Sequence, residues 1–315
     1  LNFEFDGREL STVNYQLIYH VIYLLIINYH STNLITRLLQ SLPPEEKIDY
    51  EVVIVNNSPQ DLSLQQLKGV TIIEAKDNLG FGGGCNLGLN WIYERDKKAI
   101  TKGSAERCAW LLNPDTYLPA NTLEKVPQCF ARNPQLSLLG TVIYTENGDI
   151  WFAGGRFLPH LGAIFSAPSL LAEHPETEEL IPCDWISGCS LLINLDRFSS
   201  CPQFDPAYFL YYEDFDFCRR YASQGHELAI TRELAIIHQP SSITNRNIAK
   251  KIEHSTYSYL LTLQKYTNPV IFLLRFLRLS LHGFLILPFK PQVSFGKLAG
   301  ISSYLTSYFK HRITG

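Results

Sequence analysis

The feature that most constrains this chain is a change of period repeated along residues 20–145. Short apolar, β-rich runs alternate there with stretches whose apolar residues fall near helical spacing. Runs at 21–28, 51–56, 70–74, 108–112 and 138–144 read as strands. Between them, 33–41, 62–67, 83–93 and 122–131 read as helical segments. Such alternation predicts βαβ units, hence an α/β fold built on a mostly parallel sheet with helices on both faces. The apolar run at 17–27 flows straight into Asn28-Tyr29-His30-Ser31, with no basic stretch before it and no small-residue cleavage site after it. It reads as a first buried strand rather than a signal peptide.

Sheets of this type bind ligands beyond the carboxyl ends of their strands. The polar clusters that follow the strands are therefore candidate site material. They are Asn28-Tyr29-His30-Ser31, Asn56-Asn57-Ser58, Asn78-Leu79-Gly80 and Asn113-Pro114-Asp115-Thr116. Residues 146–240 change character, with glycines and prolines punctuating short strands, an apolar run at 184–194, a helix at 213–224 and a last strand at 234–238. That half reads as a mixed extension of the same sheet. From 246 the chain reads as three helices, at 246–266, 270–287 and 295–311. The expected division is one domain over 1–245, with halves at about 15–145 and 146–245, and a helical C-terminal extension over 246–315.

Charge is divided unevenly. The formal net charge is −3, yet from Arg246 onward ten basic residues face only Glu253, so the tail carries +9 and the remainder −12. A basic, aromatic-rich tail suits an anionic membrane surface, or packing against the main domain. The stretch at 270–287 is interrupted by Arg275, Arg278 and His282, which favours lying in an interface over spanning it. Nucleic acid is not an expected partner, since no recognition motif is present and the rest of the chain is acidic. Seven scattered cysteines with no C-x-x-C pair lack zinc-ligand spacing, and a chain this long is not expected to rest on a disulfide framework; they read as reduced, which points to the cytoplasm.

Several segments could carry chemistry, and each admits a plainer reading. Asn78-Leu79-Gly80-Phe81-Gly82-Gly83-Gly84-Cys85-Asn86 is either a nucleotide-cradling loop or a tight strand-to-helix turn. It fails as G-x-G-x-x-G, because Cys85 stands at the sixth position. Asp115, beyond an apolar strand and fixed after Pro114, can hold Mg²⁺ or Mn²⁺ beside a diphosphate, or cap a turn. Glu213, Asp214 and Asp216 follow four aromatics and open a helix. They are either acids favoured by the helix dipole or a base kept partly dry by an aromatic wall. His238 ends a strand and is either structural or a second metal ligand.

Taken together, these segments resemble the family 2 glycosyltransferases of GT-A fold, especially a rhamnosyltransferase-like branch. The resemblance runs colinearly from about residue 21 to 242. It rests on Asn28-Tyr29-His30-Ser31, on Asn56 to Asp61 and on Asn78 to Gly88. It continues through Leu112-Asn113-Pro114-Asp115, Trp185-Ile186-Ser187-Gly188, Phe204 to Arg219 and His238. It implies that Asn28, Asn56, Asn57 and Asp61 face the nucleotide, and that Asn78, Gly80, Asn86 and Asn113 shape the donor pocket. Asp115, with His238, would hold a divalent metal, Mg²⁺ or Mn²⁺. Trp185, Ser187, Gly188 and Asp216 would lie on the acceptor side, with Asp214 as general base supported by Glu213. Two departures stand out: Asn56 replaces the family's usual Asp, and Asn113 replaces the first acid of its D-x-D motif.

The function implied is inverting transfer of a sugar from a nucleoside-diphosphate donor, with deoxythymidine-diphosphate rhamnose as the specific guess. The acceptor would be a hydroxyl of a glycan or lipid-linked molecule in cell-surface polysaccharide synthesis. The enzyme would sit at the inner face of the membrane, with peripheral contact through the C-terminal helices. A sugar nucleotidyltransferase would want Arg or Lys in a glycine-rich loop after the first strand, which Asn28-Tyr29-His30-Ser31 does not offer. A non-catalytic nucleotide-sugar-binding module is disfavoured by the retained Glu213, Asp214 and Asp115.

Overall fold

The structure is a computed structural model that describes residues 21–44, 46–96, 107–239 and 247–314. The beginning of the 17–27 run, residues 240–242 of the resemblance and the expected helix start at 246 lie outside those residues.

Strand β1 (Val21–Asn28) shows why its run is apolar throughout: both of its faces are buried. Tyr23, Leu25 and Ile27 enter one core, while Ile22, Leu24 and Ile26 enter the core on the opposite side. β2 (Tyr50–Asn56) and β4 (Arg107–Leu112) flank β1 in parallel, and β3 (Val70–Glu74) pairs in parallel with β2. These strands form the parallel centre of a mixed sheet. Beyond β4 comes β11 (Ser190–Asn194), inserted antiparallel between β4 and β6 (Leu136–Thr145). β12 (Glu227–His238) then runs parallel to β6, and β10 (Leu180–Pro182) closes that edge. The short strands β5 (Thr116–Tyr117) and β7 (Ile150–Phe152) add to β12 and β6, while β8 (Gly155–Leu158) and β9 (Ala163–Ser166) pair separately. The second half is thus an extension of the one large sheet.

Helices α1 (Thr32–Gln40), α2 (Gly80–Asp96) and α3 (Val126–Arg132) connect the strands of the first half. The segment expected as a helix at 62–67 is a single 3₁₀ turn (Leu62–Gln66), capped by Asp61. Helix α2 begins at Gly80, three residues before the expected start. A Cβ on Gly84 would lie 2.8 Å from Ile27 and one on Gly88 2.3 Å from Leu25. The glycines therefore let the helix lie close on β1, and that packing overrides their poor helix propensity. The apolar run at 184–194 also resolves differently, since only its last five residues form β11. Trp185 instead makes an isolated bridge to Gly155.

After the one-turn α4 (Leu170–Glu173) comes α5 (Glu213–Ala222), which carries the acid cluster in its first turn. The C-terminal helices are α6 (Ile248–Tyr266), α7 (Pro269–Leu285) and α8 (Pro291–Thr314). They share a small core of Leu260, Ile301 and Tyr304.

Candidate functional site

The polar ends of β1 and β2 form one hydrogen-bonded cluster. Asn28 Nδ2 donates to Asn56 Oδ1 at 3.1 Å and to Ser58 Oγ at 3.2 Å. Asn28 Oδ1 accepts from the backbone N–H and hydroxyl of Ser31, at 3.0 and 2.9 Å. Asp61 joins through Asn28 Nδ2 at 3.5 Å. Its hydrogen bond from the Ser63 hydroxyl holds its carboxyl below the ordinary value, with Asn28 reinforcing the shift. Asn56 is buried, and its Nδ2 donates to Glu74 Oε2 at 2.8 Å, at the end of β3. An amide can donate there where the family's usual aspartate could not.

Asn57 connects this cluster to the glycine-rich turn. Its Nδ2 donates to Asn78 Oδ1 at 3.1 Å and to the Gly80 carbonyl at 2.9 Å, while its Oδ1 accepts from Leu79 N–H at 2.8 Å. Gly80 has φ +74, and a Cβ there would sit 2.0 Å from the Phe209 carbonyl oxygen. That oxygen accepts the Phe81 N–H at 3.0 Å, which pins the turn to the aromatic stretch before the acids. Asn86 behaves differently from its neighbours: its amide donates to the Phe204 carbonyl at 2.9 Å and accepts the Phe204 N–H at 2.7 Å. Asn86 thus anchors the same aromatic stretch to α2.

The acids are set by an unusual entry into α5. Tyr211 and Tyr212 both adopt left-handed backbone, with φ 69 and 64, a conformation that costs energy for bulky L-residues. Asp214 Oδ2 accepts the Gly188 N–H at 2.9 Å and its Oδ1 accepts the Phe215 N–H at 2.8 Å. Burial raises the Asp214 carboxyl above its ordinary value, while those two N–H groups oppose the shift. Glu213 is buried, and its Oε2 has no hydrogen-bond partner among the described residues. Its carboxyl is pushed well up, first by burial and then by the Asp214 charge.

The segment from Trp185 to Gly188 brings these acids to the end of β4. Ser190 pairs with Leu112, and the Asn113 N–H donates to the Cys189 carbonyl at 3.0 Å, so Cys189 lies beside Asn113 where the two chains turn. The Ser187 hydroxyl accepts the Cys189 N–H at 3.3 Å. The buried Cys189 thiol is raised by desolvation and further by the charges of both Asp115 and Asp214. Trp185 packs tilted against Phe152 and edge-on against Phe215, at 5.0 and 6.3 Å between ring centroids. Its indole Nε1 lies where a Cβ on Gly155 would be only 2.0 Å away, so glycine is required at 155.

Asp115 and His238 also meet. Strand β5 pairs Thr116 with His238 and brings His238 Nε2 to 3.2 Å from Asp115 Oδ1, both residues being buried. The Trp151 ring packs edge-on against His238 at 4.5 Å, and His238 Nδ1 is a buried nitrogen without a hydrogen-bond partner among the described residues. A carboxylate and an imidazole so placed fit the donor set of a divalent ion such as Mn²⁺.

Asp216 faces elsewhere. Completely buried, its carboxylate takes Arg220 Nε at 3.1 Å, Lys265 Nζ at 2.8 Å and the Tyr266 hydroxyl at 2.9 Å. It locks α5 to α6, with its oxygens already engaged. Sequence reasoning passed over Glu74, Trp151, Lys265 and Tyr266. Only Glu74 carried a local signal, as an acid at a strand's carboxyl end.

Glycosyl transferase family 2 matches residues 23–183, half of the chain, and the chain belongs to that family. It is 24% identical, over 245 residues, to the N-acetylglucosaminyl-diphospho-decaprenol L-rhamnosyltransferase of Mycobacterium tuberculosis, a match covering 71% of this chain and 78% of the relative. Among solved structures, the mannosyltransferase PcManGT from Pyrobaculum calidifontis, in complex with GDP-Man and Mn²⁺, superposes with a TM-score of 0.51 at 11% identity. That superposition covers 90% of this chain and 86% of the other. GalNAc-T7, with UDP, GalNAc and Mn²⁺, gives 0.53 at 14% identity over 76% of this chain, which spans 50% of that longer protein. The fold is GT-A, a mixed central sheet flanked by helices and followed here by C-terminal helices.

Proposed function

We propose that this member of glycosyl transferase family 2 is an inverting glycosyltransferase that uses deoxythymidine-diphosphate rhamnose and a lipid-linked glycan acceptor. It would act in cell-surface polysaccharide synthesis, in the cytoplasm at the inner face of the membrane. The similarity to a rhamnosyltransferase whose name gives a diphospho-decaprenol acceptor supports the donor and acceptor classes. The observation that carries the chemistry is the Asp214 carboxylate, held by two backbone N–H groups beside buried Glu213, one of them from Gly188, whose neighbour Cys189 bonds Asn113 at the end of β4.

In this reading the half over about 15–145 binds the donor, with Asn28, Asn56, Asn57 and Asp61 on the nucleoside and Asn78 and Gly80 beside it. The half over 146–245 receives the acceptor against Trp185, Ser187 and Gly188. The acceptor oxygen attacks the anomeric carbon from the side opposite the diphosphate. A new C–O bond forms there as the bond to the diphosphate breaks, and the electron pair leaves with the diphosphate. The hydroxyl proton passes to Asp214. Burial that raises this carboxyl makes it a stronger base, and the Gly188 and Phe215 N–H groups fix its direction. Asp115 and His238 are the residues that would hold Mg²⁺ or Mn²⁺, which when bound neutralises the departing diphosphate.

The test is turnover of a panel of sugar nucleotides with a polyprenyl-diphosphate-linked N-acetylglucosamine acceptor, in the presence of Mn²⁺ or Mg²⁺. Deoxythymidine-diphosphate rhamnose should be consumed fastest, with inverted anomeric configuration in the product. Preference for another sugar nucleotide removes the donor assignment, and retention of configuration removes the single displacement.

A further inference from the structure

Helix α7 carries an apolar stripe that no described element covers. Leu273, Leu274, Leu277, Leu281, Phe284 and Leu285 are each more than half exposed. At helical spacing they share an arc of roughly 120°. On the other side of the helix, Phe272, Phe276 and Leu279 pack against the core that α6 and α8 share. The turn after α7 continues the exposure with Phe289, which is 82% exposed. Folded monomers rarely leave a contiguous patch of this kind without a use for it.

Charge identifies the occupant. No acidic residue follows Glu253 in the sequence, whereas Lys265, Arg275, Arg278, Lys290, Lys297 and Lys310 do. Arg278 is exposed at the border of the stripe, and exposed Lys290 adjoins Phe289. A symmetric contact between two copies of this face would bring these cations toward their own equivalents. An anionic lipid surface would instead neutralise them. No described helix is long and apolar enough to cross a membrane. We propose that α7 lies in the plane of an anionic lipid surface, its leucine and phenylalanine stripe among the acyl chains and Arg278 and Lys290 at the headgroups.

That face is joined to the acid loop through α6. The Ser258 hydroxyl donates to the Leu210 carbonyl at 2.9 Å, and the Tyr208 and Thr262 hydroxyls lie 3.1 Å apart. Seating α7 on lipid thereby fixes the height of Asp214 above the surface. This last step rests on the proposed transfer to a lipid-linked acceptor; the docking face does not.

The experiment is flotation of the full chain with vesicles of phosphatidylcholine alone or mixed with phosphatidylglycerol, without donor or acceptor. The native protein should float with the anionic vesicles and lose binding as salt rises. The triple variant Leu273→Gln/Leu277→Gln/Leu281→Gln should bind about tenfold or more weakly at an unchanged melting temperature, because the replaced side chains are exposed. Arg278→Gln/Lys290→Gln should lose the preference for anionic vesicles and serves as the second probe should the triple variant fold poorly. Failure of the native protein to float overturns the proposal, as does undiminished binding by both variants. A native dimer that the triple variant dissolves, with neither floating, overturns it in favour of a second copy. Because flotation is read without turnover, a failed transferase assay leaves this result standing.

Discussion

The Asp214 carboxylate accepts the backbone N–H of Gly188 at 2.9 Å, across a gap of 26 residues in sequence. That bond ties the direction of the proposed base to the segment beside Asp115. Replacing Asp214 by Asn keeps the shape but removes the proton acceptor. Asp214→Asn should lower kcat by about 10²–10⁴-fold and leave donor affinity within a few-fold of native. Titration with the donor nucleotide, followed by steady-state turnover, checks both parts. Near-native kcat removes Asp214 from the base role.

Glu213 gives the pH dependence a defined sign. Its folded carboxyl titrates well above an ordinary one, because burial and the Asp214 charge both oppose ionisation. In the window between the unfolded and folded values, the folded state binds the extra proton, so stability falls as pH rises through it. The contribution is fully present below the ordinary carboxylate range and is lost as pH passes the raised folded value. Glu213→Gln should flatten that decline in melting temperature with pH. An unchanged profile would show that Glu213 is not its source.

Much of the fold was legible because period is a local property. A strand buried on both faces reads as an unbroken apolar run, as 21–28 does, and its polar end then marks the ligand side of the sheet. The sequence is least informative where contacts come from distant residues. The helix expected from 83 begins at Gly80, and its glycines look costly until Gly84 and Gly88 are seen to lie against Ile27 and Leu25. Asn86 reads as donor-pocket material, and nothing local announces that its amide bonds Phe204, 118 residues away. Asp216 stands two residues after Asp214 and reads as its support, while the Lys265 and Tyr266 that it binds lie about fifty residues on and have no local signature.

The exchange at position 56 has a testable logic. Asn56 Nδ2 donates to Glu74 at 2.8 Å, while Asp61 stands in the same cluster. An aspartate at 56 would turn a donor into a third carboxylate. Asn56→Asp should lower the melting temperature and weaken donor binding. Asn56→Asp/Glu74→Gln should recover much of both, since the Gln amide can then donate. A double variant no better than the single one would show that Glu74 is not the partner that matters.

Asp115 and His238, the proposed metal ligands, stand 3.2 Å apart and are both buried. Removing either donor, as Asp115→Asn or His238→Gln, should weaken Mn²⁺ binding by more than the about 10–100-fold typical of outer-shell changes. Paramagnetic titration of Mn²⁺, with nucleoside diphosphate present, measures this without turnover. Native affinity in both variants would remove the pair as ligands.

Asp216 is completely buried and holds Arg220, Lys265 and Tyr266 together. Asp216→Ala leaves two cations facing one another without their shared anion. Loss of one partner from a buried pair costs about 3–5 kcal/mol. Arg220 and Lys265 side chains are 30% and 29% exposed, so water recovers part of their charge energy and the lower end applies. Lys265→Met should cost less, since Arg220 remains on the carboxylate. Denaturant unfolding compares the two. Because Asp216 joins α5 to Lys265 and Tyr266 of α6, Asp216→Ala should also increase proteolysis or hydrogen exchange along α6 while β1 to β4 stay protected. Equal protection of α6 in the native and Ala proteins would show that Asp216 does not hold it.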